Sequence, residues 1–417
     1  MVNWFNKTNL SKPSSFITIN KLYGYVLPHA GTAHTGHIIS NTLRFKPSHI
    51  NKIKTIIIFY YPSQIKPNVN NQYYHEYYVP WKSLQFVSKK WWKNNNIKFI
   101  GINIKNNKYK KTIDFKTTLV VISADFSHFL PLQEAIKKEN CAAHSLMLGQ
   151  LQSDLSCNQV IDYKGTFIEV NKLLPKTSIY QWVGRTRSTG EKGVGYLSFL
   201  IREQENPNKK LPDGIFITAY DNTMQARECL GNWYDINNKH WTPENETELK
   251  NKVIRLAGTT SRLTGGSNLD IPVTHYTITY LYIDKSNTKN KKFIRGWHGI
   301  LYNAFYLPDV FLENTFNNGD WISNTDLIWK TGTHFSMDET LNKLVNKAGG
   351  NNSNIDYTLY SSNVVHRIVH KNYQFGGNNL LNKFNYIYEP IKNIKLNINS
   401  FEGKELLKKY IKTFYKY

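Results

Sequence analysis

The chain has 417 residues, 40% of them hydrophobic and 14% aromatic, enough apolar side chain to fill two or three domain cores and too much for a disordered chain. Its formal charge is +23. The lysines are spread through Asn- and Lys-rich loops such as residues 105–111, so the basic surface reads as a solvated one, and specific nucleic-acid binding is not expected.

Residues 21–200 alternate strand-like apolar runs with helical patterns. Strands are predicted at 23–27, 55–60, 99–104, 119–123 and 195–201, and helices at 36–43, 81–92 and 132–151. Such alternation argues an α/β fold with a largely parallel sheet. Residues 202–214 are polar, charged and broken by Pro207 and Pro212, which places a linker at 205–213 between a first domain, 1–204, and a second, 214–350. The second half reads as α+β. It has a strand at 215–220, a helix at 244–256, a Thr- and Tyr-rich strand at 275–283, and a strand at 294–302 that could pair with it. A short helix is predicted at 338–348, closed by Gly349 and Gly350. An Asn/Lys-rich extension, 351–417, follows, with a helical stretch at 402–415.

Cys141, Cys157 and Cys229 are too few and too scattered for a disulfide framework, which suits a reducing compartment. The first residues lack the apolar core of a signal peptide. No apolar run approaches the roughly 20 residues of a membrane span. A soluble cytoplasmic protein with no membrane partner is expected.

The residues that could carry chemistry sit where strands end. Pro28-His29-Ala30-Gly31 follows the first strand, and ligands of open α/β sheets gather at such ends. Asp125 and His128, three residues apart, follow the strand at 119–123, and a carboxylate can fix the tautomer of a histidine. His75-Glu76 precedes the helix at 81–92, and Cys157 follows the long helix. Histidines, a thiol and a carboxylate arriving from separate loops are what a metal or nucleophilic site needs. In the second half, Arg227 beside Cys229 could lower the thiol pKa, with Glu228 opposing it.

These strings carry a resemblance. Pro28-His29-Ala30-Gly31, Tyr74-His75-Glu76 with Val79, Ser123-Ala-Asp125-Phe-Ser-His128, Cys157 and Val194-Gly-Tyr196 resemble, in order and spacing, the motifs of the Memo family, whose fold is similar to class III extradiol dioxygenases. The resemblance implies an iron or copper redox site, with His29, Cys157 and His75 as ligands and His128, oriented by Asp125, as acid/base. The chain departs from the family at Gln64 and Ile65, where a histidine ligand would be expected. Gln225-Ala-Arg227-Glu-Cys229-Leu-Gly231, Thr260-Ser261-Arg262-Leu263, Trp297-His298-Gly-Ile300 and Phe305-Tyr-Leu-Pro308-Asp-Val310 resemble the motifs of the AMMECR family. That implies a second candidate site at Arg227, Cys229, Ser261 and Arg262.

The two families recur together in AmmeMemoRadiSam systems, so a Memo–AMMECR fusion with a radical-SAM protein partner is implied. The expected function is a metal-dependent redox or oxygenase-like activity on an unknown small-molecule substrate. The alternative is a non-enzymatic protein- or phosphopeptide-interaction module on a degenerate Memo scaffold.

Overall fold

The computed structural model describes residues 10–61, 76–105, 109, 111–151, 155–188, 192–234, 239–259, 273–285, 293–302, 304–313, 345–346, 357–369, 386–389, 394–397 and 400–414. The protein is a mixed α/β structure with both parallel and antiparallel strand pairs. Its residues fall into two compact units. The first is Met1–Ile215, Trp233–Trp241 and Thr279–Val365, and the second is Phe216–Asn232, Thr242–Ile278 and His366–Tyr417. The residues expected to link two domains, 205–213, lie inside the first unit.

The first unit is built on a six-stranded sheet. In chain order its strands are β2 (Leu22–Leu27), β4 (Thr55–Tyr60), β5 (Lys98–Asn103), β6 (Thr118–Ser123), β7 (Ser178–Arg187) and β8 (Gly195–Glu203). A short parallel pair, β1 (Ile17–Ile19) and β3 (Phe45–Pro47), lies outside it. The spatial order is β5-β4-β6-β2-β8-β7. The pairs β4–β5, β4–β6 and β2–β6 are parallel, and β2–β8 and β7–β8 close one side antiparallel.

The central strands are apolar at nearly every position because both faces are covered. Alternate residues go to opposite cores. Val26, Ile57, Phe59, Val120 and Ile122 join one cluster with Ala142, Ala143 and Leu146 of helix α3 (Leu132–Met147). Tyr25, Leu27, Ile56, Ile58, Leu119 and Val121 join another, with Ile39 and Leu43 of α1 (Thr32–Leu43) and Leu84 and Val87 of α2 (Tyr78–Lys90). Each such Ile, Leu or Val contributes on the order of 1.5–3 kcal/mol of burial. Gly24 lets β2 and β6 approach closely, since a Cβ there would lie 1.9 Å from the Val120 carbonyl oxygen.

β7 is buried along almost its whole length although it carries Gln181, Arg185 and Arg187. Arg185 Nη2 lies 2.7 Å from Glu139 of α3, with neither side chain exposed. Ser127 Oγ also donates to Glu139, and Arg187 stands 3.7 Å from it. This carboxylate seats directly under the start of β8, where a Cβ on Gly195 would fall 1.9 Å from its Oε1. Helix α4 (Lys164–Asn171) completes the segment that precedes β7.

Among the later elements of this unit, β12 (His298–Tyr302) pairs antiparallel with β13 (Ala304–Tyr306) and with the first residues of β14 (Thr358–Ile368). The expected pairing of the strand at 294–302 with the one at 275–283 is thereby corrected: β14, from the Asn-rich extension, occupies the edge beside β12. The short α6 is Val310–Glu313.

In the second unit, β9 (Gly214–Asp221) and β10 (Ala226–Trp233) are neighbours, α5 is Pro243–Thr259, β15 (Tyr386–Glu389) pairs with β16 (Ile394–Asn397), and α7 is Phe401–Phe414. The strand β11 spans Val273–Ile283. Of the helix expected at 338–348, only Val345 and Asn346 lie within the described residues. No helix among the described residues is long and apolar enough to cross a membrane.

Candidate functional site

Parallel pairing brings the C-terminal ends of β2, β4 and β6 to one edge of the first sheet, and the chain leaving each contributes to one cluster. β2 delivers His29. Its backbone N–H donates to Asp125 Oδ1 at 2.9 Å, and its Nε2 lies 3.5 Å from Asp125 Oδ2 and 3.5 Å from Asp162 Oδ2. β6 delivers Asp125, which is 3% exposed, and Ser123, whose Oγ is 3.3 Å from His29 Nδ1. Asp162 is drawn in by its own backbone N–H, which donates to the Asp125 carbonyl at 3.1 Å.

Hydrogen-bond accounting orients the imidazole. The Ser123 hydroxyl donates its one proton to the Glu76 carbonyl, so toward His29 it can only accept. Nδ1–H is therefore the donor, and Nε2 faces two carboxylates. Nε2 and the two carboxylates are thus crowded into one buried corner. Asp162 reflects this crowding. Burial first, and the charges of Asp125 and Glu76 after it, raise its carboxyl from 3.8 to about 6, against the opposing pull of His29 and His128.

Among the described residues, two of the five non-glycine ones with left-handed backbone, Phe129 (φ 54°) and Tyr163 (φ 50°), directly follow site residues His128 and Asp162. Strained backbone of this kind collects at functional sites. Tyr163 stacks on Tyr61 at the end of β4, with ring centroids 4.0 Å apart, and Lys105 Nζ stands 5.9 Å over the Tyr61 ring. The cluster thus has an aromatic wall beside its carboxylates.

Two expectations are corrected here. Asp125 does not orient His128. Its carboxylate is engaged by His29, whereas His128 Nδ1 donates to the Phe126 carbonyl at 2.8 Å, and the His128 ring is exposed. Cys157 is not a thiolate ligand, since its Sγ is bonded to that of Cys141 in a disulfide, and Cys157 is 3% exposed. The expectation of no disulfide is corrected with it. Gln64, Ile65 and His75 lie outside the described residues. Of the donors that the Memo resemblance implies for iron or copper, His29 alone stands at the described cluster. A disulfide sulfur lacks the anionic lone pair such a site uses, and neither Gln64 nor Ile65 carries an imidazole, so two of the positions that the resemblance makes ligands do not supply one. On α1, burial, with Arg295 adding to it, lowers His37 from 6.5 to about 4.

In the second unit, Arg227 is buried and stands 4.0 Å from Asp221. Asp221 Oδ1 accepts from the N–H and hydroxyl of Thr223 and from the N–H of Gln225, so the pair organises the turn between β9 and β10. Cys229 lies on β10 outside the disulfide, and its N–H donates to Glu228 Oε1 at 2.9 Å. Ser261 and Arg262 lie outside the described residues. His298, from the AMMECR-like string, is a structural histidine. Its Nδ1 accepts from the Ile294 N–H and its Nε2 is 2.9 Å from Asp284.

The chain matches no family model and no curated protein.

One further group combines an imidazole with two carboxylates. His144 of α3 and Asp309 and Glu313 around α6 bring one ligand atom each within 4.8 Å of one another, with His144 Nε2 2.5 Å from Glu313 Oε1. Burial, with Glu313 adding to it, raises Asp309 from 3.8 to about 6, and His144 opposes the rise.

Proposed function

We propose that the first unit is a Memo-like scaffold turned to acid–base chemistry, binding a small hydroxyl- or amine-bearing molecule and moving a proton through His29 and Asp162. The observation that supports this reading is the imidazole Nε2 held 3.5 Å from two carboxylate oxygens of Asp125 and Asp162. Asp162, raised to about 6, is poised to accept or return a proton near neutral pH, where a general acid or base is most effective. Asp125 fixes His29 through the backbone contact, Ser123 sets its tautomer, and the Tyr61–Tyr163 wall offers an apolar face to the ligand. Three carboxylates, Glu76, Asp125 and Asp162, make the local field negative inside a chain of net charge +23. The field selects a hydrogen-bond donor or cation and rejects phosphate.

A second reading keeps the protein-interaction module, with a radical-SAM protein among its candidate partners. It rests on Phe129, which is 68% exposed beside His128 and could anchor a partner at the rim. The negative field argues against a phosphopeptide as that partner.

The test is a thermal-shift screen of small neutral alcohols, phenols and amines against the full chain, run in parallel on His29→Ala and Asp162→Asn. The acid–base reading expects compounds that stabilise the unaltered protein and lose that effect in both variants. Hits that survive both substitutions, or disappear only in Phe129→Ala, would move the function to the rim.

A further inference from the structure

We propose that His144, Asp309 and Glu313 form a binding site for one divalent metal ion of the zinc type, separate from the His29 cluster. The three donors come from two elements, and Asp309 and Glu313 are four residues apart on one turn, so they project to the same side. One carboxylate would suffice to pair His144. A second within 4.8 Å of both adds repulsion that a bound dication would convert to attraction.

The platform is rigid. Arg295 Nε donates to the Phe311 carbonyl at 3.3 Å, Arg185 Nη1 donates to that of Leu312 at 3.2 Å, and Arg295 Nη1 donates to the Arg185 carbonyl at 3.2 Å. Two buried guanidinium groups therefore pin α6 against β7. Arg185 lends Glu313 long-range charge, while its hydrogen bonds run to Glu139, Asn140 and the carbonyls of Ile136 and Leu312.

The donor set chooses the ion. One imidazole and two carboxylates suit zinc and similar transition ions, whereas magnesium and calcium prefer oxygen alone. With bonds of ~2.0–2.2 Å, ligand atoms of a tetrahedral ion stand roughly 3.3 Å apart. The 2.5 Å contact between His144 and Glu313 would open by less than a side-chain rotamer change, and a fourth position would remain for water.

The experiment uses Co²⁺ as a spectroscopic probe, titrated into the full chain and followed by its visible d–d bands, with Zn²⁺ competition to confirm the site. The expected result is one equivalent bound, displaced by Zn²⁺. His144→Ala and Asp309→Asn should each weaken binding at least tenfold, since even loss of a residue supporting a ligand costs roughly 10–100-fold. Asp309→Asn is nearly isosteric and keeps the result readable if His144→Ala fails to fold. His29→Ala and Asp162→Asn should leave the bands unchanged. No Co²⁺ bands, or bands lost in His29→Ala and kept in Asp309→Asn, would overturn the proposal.

Discussion

Replacing Asp162 by Asn should stabilise the protein, and by an amount that grows with pH. The carboxyl is raised from 3.8 to about 6, so the folded state prefers it protonated. Below 3.8 both folded and unfolded chains carry the proton, and the group is neutral to stability. Between 3.8 and about 6 the unfolded chain ionises while the folded one holds its proton, and stability falls as pH rises. Above about 6 the full penalty is present. At ~1.4 kcal/mol for each pH unit it amounts to about 3 kcal/mol. Asp162→Asn removes the ionisation with little change of shape. Urea unfolding at a series of pH values should show the variant's advantage widening by roughly 2.5 kcal/mol between about pH 4 and pH 7.5. An advantage independent of pH, or a loss that deepens with pH, would refute the raised Asp162 carboxyl. Carboxyl NMR of Asp162 gives a direct check, because Asp125→Asn should lower its midpoint and His29→Ala should raise it.

Two further outcomes follow from the packing. Glu139→Gln leaves Arg185 charged with no exposed surface to either side chain, and should destabilise by about 3–5 kcal/mol in denaturant titrations, as breaking one partner of a buried pair does. Cys141→Ser opens a loop of sequence separation 16, and should lower stability by about 3 kcal/mol, an effect that added reductant reproduces in the unaltered protein and not in the variant.

The parts of the fold that could be read from the chain are those where one periodicity dominates. Residues 55–60 form β4 as expected, and those at 23–27, 99–104, 119–123 and 195–201 form β2, β5, β6 and β8 with ends shifted by a residue or two, because a continuous Ile/Val/Tyr run has few other uses. β7 escaped notice. Its Gln181, Arg185 and Arg187 make it a polar stretch, and the partners that let it be buried are remote: Glu139, on a helix 46 residues before Arg185, pairs with the two arginines, and Arg202 donates to Gln181. At the site, His29, Asp125 and His128 announced themselves by motif and strand end. Asp162 did not, since nothing local in Ile161-Asp162-Tyr163 marks an acid that a backbone bond to Asp125 draws in. The Cys141–Cys157 pairing was equally hidden, as it depends on how the end of α3 meets the 3₁₀ turn at Ser156–Val160.

The strand order also sets a timetable for synthesis. β2 lies at the middle of the sheet, yet its neighbours are β6 and β8, the latter ending at Glu203. An apolar strand made near the start of the chain must wait for its second partner until some 180 residues later, roughly 10–40 s at ~5–20 residues per second. Long-range pairing of this kind slows folding and leaves an unpaired edge exposed meanwhile. A nascent chain released before β8 emerges would hold β2 with one side open, so chaperone capture during synthesis should depend on residues well beyond the strand that needs protecting.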